Sequence, residues 1–179
     1  YTTRGRWHHA GELWTDWTGG FLVGMMWQFH RRTGSAEWRA RAEHYAQLLE
    51  HRKQDPHVHD LGFVFLNAYL PWYELTGDKR LLAVIIEAGQ TLSRRFQPQG
   101  QYLCSFVAPT SLFIDIMMNV PLIQYVANQT LDQDLARIAV AHCRTTRDRL
   151  VRPDGSTAHE GIFEPQSGQF LRQSTHQGL

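Results

Sequence analysis

The sequence predicts an all-α protein in which helical hairpins are arranged around a ring, an α/α toroid. Apolar residues recur with a helical period along most of the chain up to residue 150. Polar turn signals interrupt this pattern, and successive helices alternate between nearly all-apolar and clearly amphipathic. The apolar helices suit an inner ring and the amphipathic helices an outer ring. A plain helical bundle or a solenoid would give a similar pattern.

The periodicity predicts helices over residues 17–32, 36–53, 60–75, 78–95, 111–127 and 131–148. The turn signals Thr33-Gly34 and Thr76-Gly77-Asp78 recur at the same place in successive hairpins, which indicates a repeated helix pair. After residue 150 the string VRPDGSTAHEGIF predicts a small β-hairpin with a Pro-Asp-Gly turn, and the remainder predicts a loop. Since no linker interrupts the chain, residues 1–179 are interpreted as a single domain.

Composition excludes several classes of function. With 18 basic and 17 acidic residues the net charge is +1, which gives no case for a nucleic-acid partner or an anionic membrane. No apolar run reaches membrane-spanning length. The spacing of Cys104 and Cys143 fits neither a disulfide scaffold nor a zinc site, so both are predicted to be core thiols. No signal peptide is recognisable, and the compartment stays open.

One carboxylate stands inside the apolar string SLFIDIMMNVPLI. On the predicted helix 111–127, Ser111, Asp115 and Asn119 recur at every fourth position, so they form one polar stripe facing the lumen of the ring. A carboxyl in an apolar setting either finds donors or keeps a proton. The plain alternative is a structural Asp satisfied by neighbouring donors.

A second carboxylate, Asp60, follows His59 at the start of the predicted helix 60–75. Asp is a favoured N-cap residue, and that alone would explain its position. Together with His57, the pair could also be a fragment of a metal site, although no other ligand set of matching spacing appears.

Trp17 and Phe21 lie one turn apart at the start of the first helix, among Gly19, Gly20 and Gly24. Glycines weaken a helix, so either close packing or the approach of a ligand has to justify them. In a toroid of hairpins the inner helices run the same way, and their first turns meet at one rim. The three polar or aromatic exceptions therefore predict a site at that rim.

The strings DWTGGFLVGMMW, HDLGFVF, FIDIMMN, TTRDRLVRPDGSTAH and THQG, in this order, resemble the unsaturated glucuronyl hydrolases of glycoside hydrolase family 88. The resemblance covers most of the chain. It implies a six-hairpin α/α barrel and a 4,5-unsaturated uronic acid as substrate. Polysaccharide lyases leave this sugar at the non-reducing end of glycosaminoglycan-type oligosaccharides.

The resemblance also implies roles for individual residues. Asp115 would be the general acid/base and Asp60 the second essential carboxylate, with no metal or organic cofactor. The sugar subsite would be formed by Trp17, Phe21, His59, Asn119, His159, His176 and Gln177.

The family pattern needs six hairpins, and this chain supplies about three, so the resemblance implies a partial barrel. Uncovered apolar faces would then favour a homo-oligomer or the missing half of the barrel as partner. Three other functions stay open. An ordinary inverting glycosidase could use Asp60 and Asp115 as base and acid. A non-catalytic carbohydrate-binding remnant would bind sugar without turnover, and an α-solenoid scaffold would leave both carboxylates dispensable.

Overall fold

The structure, a computed structural model, describes residues 2–7 and 17–175. Its helices are α1 Trp17–Thr33, α2 Ala36–Leu49, α3 Leu61–Ala68, α4 Leu70–Thr76, α5 Lys79–Ser93, α6 Pro121–Thr130 and α7 Gln133–Leu150. Short 3-10 segments cover Glu50–Gln54 and Ile114–Met118. The strands are β1 Thr2–Thr3, β2 Arg6–Trp7, β3 Phe96–Gln97, β4 Tyr102–Leu103, β5 Ser111–Phe113, β6 Glu160–Phe163 and β7 Phe170–Ser174.

The hairpins α1/α2 and α4/α5 form as the turn signals predict, and α6/α7 forms a third. Each turn contains a residue with positive φ, namely Gly34, Gly77 and Leu131. The helix after each turn is capped by a side-chain oxygen, from Ser35, Asp78 and Asp132 in turn. These caps satisfy amide groups that the first turn of a helix otherwise leaves without partners.

The inner layer consists of α1, α3 and α6, with α3 in contact with both of the others, and α2, α5 and α7 lie outside it. Side chains such as Trp27, Phe65 and Ile123 are fully buried between the layers. The predicted fold class, helical hairpins of an α/α toroid with a small β element, is confirmed. Within the described residues, no helix is both long and apolar enough to cross a bilayer. Cys104 is buried and Cys143 partly buried, both as free thiols.

Two predicted helices are shorter than expected. The helix predicted over 60–75 is interrupted at Tyr69, because Pro71 has no amide hydrogen for the helical ladder and instead lies in the first turn of α4. The helix predicted over 36–53 ends at Leu49 and continues as a 3-10 segment.

The prediction of a helix over 111–127 is wrong for its first ten residues. Ser111–Phe113 is strand β5, a 3-10 segment follows, and α6 begins only at Pro121. Pro121 therefore starts a helix, a position that suits proline. Ser111 shares no stripe with Asp115. It is buried and donates its hydroxyl hydrogen to Glu160 Oε1.

The C-terminal β element also differs from the prediction. The Pro-Asp-Gly turn joins only an isolated bridge between Val151 and Thr157. The hairpin forms further along, where β6 pairs antiparallel with β7, a segment predicted to be a loop. Strand β5 pairs with the other edge of β6 and completes a three-stranded sheet.

Candidate active site

His59, Asp60 and Asp115 form a cluster where α3 meets the segment before α6. His59 Nε2 lies 3.1 Å from Asp115 Oδ2 and 3.4 Å from Asp60 Oδ1. His59 and Asp60 are buried, whereas the Asp115 side chain is 37% exposed. The cluster therefore presents one carboxyl to solvent and holds the other carboxyl and the imidazole behind it.

Asn119 ties the two segments of this cluster together. Its Oδ1 accepts a hydrogen bond from the backbone N–H of Phe63 at 2.8 Å, and its Nδ2 donates to the carbonyl oxygen of Asp115 at 3.3 Å. Asn119 is fully buried. Its side chain is therefore engaged by the protein and joins α3 to the Asp115 segment. Direct binding of sugar by Asn119 stays a prediction.

The N-cap explanation of Asp60 does not hold. Asp60 occupies the N-cap position of α3, but its side chain makes no capping hydrogen bond. Asn119 binds an amide of the first turn instead. The Asp60 carboxyl is consequently left facing His59.

The two carboxyl groups are perturbed in opposite directions. Burial raises the pKa of Asp60, and the charge of Asp115 adds to the shift, against the opposing charges of His59 and Arg95. Burial also acts to raise the pKa of Asp115, but the hydrogen bond and charge of His59, with the charge of His159, outweigh it and lower that pKa. The apolar string around Asp115 predicts a raised pKa for that carboxyl, and the position of Asp60 at a helix start predicts its anionic form. Both predictions are wrong.

The environment of His59 determines which ring nitrogen carries hydrogen. Its Nδ1 accepts a hydrogen bond from the backbone N–H of Phe106 at 3.1 Å. The ring stacks on Phe106, with centroids 5.2 Å apart, and meets Phe113 edge-on at 5.8 Å. Neutral His59 therefore carries its hydrogen on Nε2, the nitrogen that faces both carboxyl groups.

Aromatic side chains extend from this cluster along α1. Trp17, Phe21 and Phe63 form a triangle with centroids 5.3 to 5.9 Å apart. A cleft of about 490 Å³ begins at Phe21 and continues between α1 and the α3–α4 segment, past Met25 and Asn67. On the other flank, His159 packs on Phe113 at 4.6 Å. His176 and Gln177 lie outside the described residues.

Close packing explains Gly20 of α1. A Cβ at Gly20 would overlap the backbone of Phe63 and Val64. A Cβ at Gly62, in the first turn of α3, would likewise overlap the backbone of Asn119. Helix α3 is therefore held against α1 on one side and against the Asp115 segment on the other.

Comparison with known proteins finds similar sequences and similar solved structures. No protein-family model matches the chain. The unsaturated glucuronyl hydrolase of Bacillus sp. (strain GL1) is 30% identical over 175 residues, which are 92% of this chain and 46% of that protein. The unsaturated chondroitin disaccharide hydrolase of Streptococcus agalactiae serotype III (strain NEM316) is 28% identical over 173 residues, covering 92% and 43%.

Solved structures of unsaturated glucuronyl hydrolases have a similar fold. The crystal structure of the Bacillus sp. GL1 unsaturated glucuronyl hydrolase superposes with a TM-score of 0.87 at 27% identity, over 97% of this chain and 48% of that one. The chain is similar to the N-terminal half of the unsaturated glucuronyl hydrolases. An unsaturated glucuronyl hydrolase described as specific for heparin gives a TM-score of 0.86 at 28% identity, over 92% and 45%. The chain spans less than half the length of the curated relatives it matches.

Similarity to the unsaturated glucuronyl hydrolases removes the solenoid alternative, because these structures are α/α toroids. It leaves open what the cluster does in this chain. Three aromatic residues of the site were not predicted from the sequence: Phe63, whose ring packs on Trp17 and Phe21, and Phe106 and Phe113, whose rings contact His59. Phe63 carried a signal, since it lies one turn after Asp60, but nothing local distinguished the other two.

The same cluster is a geometric candidate for a metal site. One donor atom each from His59, Asp60 and Asp115 lie within 4.8 Å of one another. The hydrogen bonding of His59 opposes coordination. Nδ1 accepts a hydrogen bond from the Phe106 amide, so the ring hydrogen of neutral His59 is on Nε2, whereas a metal ion would need Nε2 without hydrogen. His57, the residue that suggested a metal fragment in the sequence, does not belong to the cluster.

We expect Asn119→Ala to weaken the fold and the site together. The change removes the helix cap and leaves the buried Phe63 amide without its partner, which should cost about 1–3 kcal/mol of unfolding free energy. Urea denaturation measures this loss. Asn128→Ala on the exposed face of α6 is the matched control, since its side chain bonds only Gln124 at the surface. Equal stability of the two variants would contradict the role given to Asn119.

Proposed function

We propose that the chain carries the acid–base centre of a glycoside hydrolase acting on 4,5-unsaturated uronic acids at the non-reducing end of glycosaminoglycan-type oligosaccharides. The observation that carries the proposal is the pair of carboxyl groups with opposite pKa directions on either side of His59. Two carboxyls tuned apart by their surroundings are typical of an acid–base pair.

The substrate class is supported by the names of the relatives. The Bacillus sp. GL1 structure is described as responsible for the degradation of glycosaminoglycan. One matching Streptococcus agalactiae structure is described as complexed with dGlcA-GalNAc6S, at 25% identity and a TM-score of 0.70. These descriptions concern the relatives, and their common feature is the unsaturated uronic acid.

The chemistry requires one proton to be delivered and one water to be activated. An unsaturated uronate is an enol ether, and a proton added at C4 leaves positive charge shared between C5 and the ring oxygen. Water then adds at C5 and gives up its proton. The resulting hemiketal opens and releases the rest of the oligosaccharide, so the sum of the steps is the addition of one water. One group can donate the first proton and accept the second.

Asp115 has the position for this exchange because its carboxyl is the accessible one. Asp60 is buried and has a raised pKa, so it keeps a proton within the cluster at a pH where an ordinary Asp has lost it. His59 Nε2 lies within reach of both carboxyl groups. Groups this close titrate as a unit, so the proton held at Asp60 can pass within the cluster to Asp115. We assign retention of that proton to Asp60 and its delivery to the substrate to Asp115.

The aromatic triangle and His159 suit the binding of the sugar. Trp17 exposes 40% of its surface beside Phe21 and Phe63, which offers an apolar platform to a sugar ring. His159 acts electrostatically on Asp115 and flanks it from the sheet side. His176 and Gln177 stay predicted subsite residues.

The geometry disfavours an ordinary inverting glycosidase. Such enzymes separate their two carboxyl groups by about 6.5–9.5 Å, so that a water fits between the base and the sugar. Here donor oxygens of Asp60 and Asp115 lie within 4.8 Å of each other. A non-catalytic sugar-binding role would not require the pKa values of Asp60 and Asp115 to be shifted in opposite directions.

The proposal is tested by incubating the chain with an unsaturated chondroitin disaccharide and following the ultraviolet absorbance of the enol ether. We expect the absorbance to decay as the C4=C5 bond is lost. A saturated aryl glucuronide serves as the comparison substrate and should not be cleaved. Cleavage of the saturated glycoside alone would support the inverting glycosidase, and calorimetric binding of the disaccharide without turnover would support the binding remnant.

A further inference from the structure

Arg95, just beyond the end of α5, holds three backbone carbonyl groups at once. Its Nε donates to the carbonyl oxygen of Cys104 at 2.8 Å, Nη1 donates to that of Pro56, and Nη2 to that of Ser105. The guanidinium group is a planar fork of donors, so it fixes the relative orientation of the acceptors it binds. None of these partners is a side chain, and the arginine therefore organises backbone.

The backbone that Arg95 organises surrounds His59. Pro56 lies three residues before His59 in the chain. The carbonyl of Ser105 and the amide of Phe106 belong to one peptide unit, and that amide donates to His59 Nδ1. Because a peptide unit is planar and trans, its C=O and N–H point in opposite directions. Holding the Ser105 carbonyl on Arg95 therefore aims the Phe106 amide at His59.

The direction of this amide decides the tautomer of His59. An N–H donor opposite Nδ1 requires that nitrogen to be bare, so the ring hydrogen resides on Nε2. If the peptide unit rotated, its carbonyl oxygen would face Nδ1 and favour a hydrogen there. Nε2 would then be bare and could no longer donate to Asp115 Oδ2, the carboxyl oxygen that it now donates to.

We propose that Arg95 is a positioning residue that sets the tautomer of His59 through the Ser105–Phe106 peptide unit. Its effect on turnover rests on the function proposed above, whereas its effect on the tautomer does not. Arg95 itself touches no reacting group in this arrangement and acts through the Phe106 amide.

Hydrogen bonds to Ser111 also hold Ser105, so loss of Arg95 should alter only the local orientation of the Ser105–Phe106 peptide unit. Ser105 N–H donates to the Ser111 carbonyl oxygen at 2.7 Å, and the two hydroxyl groups are 2.8 Å apart. Ser111 is anchored in turn by Glu160. Replacing Arg95 removes one attachment of Ser105, and the bonds to Ser111 keep the segment in place while the peptide unit gains freedom to rotate.

The experiment compares wild type with Arg95→Lys, Arg95→Met and the control Arg94→Met by ¹H–¹⁵N spectroscopy of the histidine side chains, without substrate. A His59→Asn spectrum assigns the His59 signals. Arg95→Lys keeps the positive charge that acts on Asp60 but loses the fork, which separates charge from geometry. Arg94 is the adjacent, exposed arginine.

We expect wild type and Arg94→Met to show His59 with hydrogen on Nε2, and both Arg95 variants to lose that single form. The kcat for the unsaturated disaccharide should fall about 100-fold in the Arg95 variants, with a much smaller change in KM. An unchanged His59 tautomer in Arg95→Lys or Arg95→Met would overturn the inference. Absence of turnover in wild type would count against the proposed function alone, because the tautomer is read without substrate.

Discussion

Asp115→Asn should reduce the turnover of unsaturated uronides by about 10²- to 10⁴-fold, the range found when a general acid/base is removed. The amide keeps the shape of the carboxyl, but it cannot donate a proton to C4 or accept one from water. Decay of the enol-ether absorbance measures the loss. Asp148→Asn on the surface of α7 is a suitable control, since that carboxyl also has a lowered pKa and pairs with Arg147.

The same variant should be slightly less stable than wild type at neutral pH. The folded-state pKa of Asp115 is lowered, so its ionised form contributes stability above the ordinary value of 3.8, and this contribution is lost as pH falls through the folded-state pKa. The contribution is modest because the side chain is partly exposed. A variant with normal turnover would remove Asp115 from the mechanism.

Asp60→Asn should lower turnover by a similar factor and make the protein more stable at neutral pH. The folded-state pKa of Asp60 is raised, so the buried group is favourable below 3.8 and loses that advantage as pH rises through its folded-state pKa. An amide does not ionise, so the variant does not lose this stability as pH rises. The substitution breaks no capping hydrogen bond, because the Asp60 carboxyl makes no such bond. Denaturant unfolding at several pH values should show the gain of the variant growing as pH rises.

Asp78→Asn tests whether any N-cap Asp behaves in this way. Asp78 occupies the same position on α5, but its side chain does accept a hydrogen bond from the Arg80 amide and its pKa is lowered. That variant should keep turnover and gain no stability.

In wild type, the rate should fall as pH rises through the raised pKa of Asp60, since the cluster then loses its proton. A destabilised Asp60→Asn with normal turnover would return Asp60 to a structural role.

The sequence predicts those elements whose determining residues lie close together in the chain. The amphipathic pattern and the Asp132 cap are both contained within or next to α7, and this helix appears close to its predicted bounds. Strand β5 could not be found in this way. Ser111 pairs with Ile162, and that contact between distant parts of the chain overrides the helical pattern of the intervening apolar residues.

The members of the candidate site were predicted better than their properties. His59, Asp60 and Asp115 stand out in the sequence as polar groups in apolar surroundings. The direction of each pKa depends on contacts that join residues 56 positions apart, such as the bond from His59 to Asp115. Residue type and helix position gave the opposite assignment, because they could not show which carboxyl would be covered and which would receive the hydrogen bond.

The close approaches at Gly20 and Gly62 bear on how such a site can change during evolution. Neither residue has a group that reacts, binds sugar or carries charge. Any side chain at either position would push α3 away from its neighbours and move His59 and Asp60 relative to Asp115. A substitution at either glycine should therefore lower turnover, although neither residue takes part in the reaction.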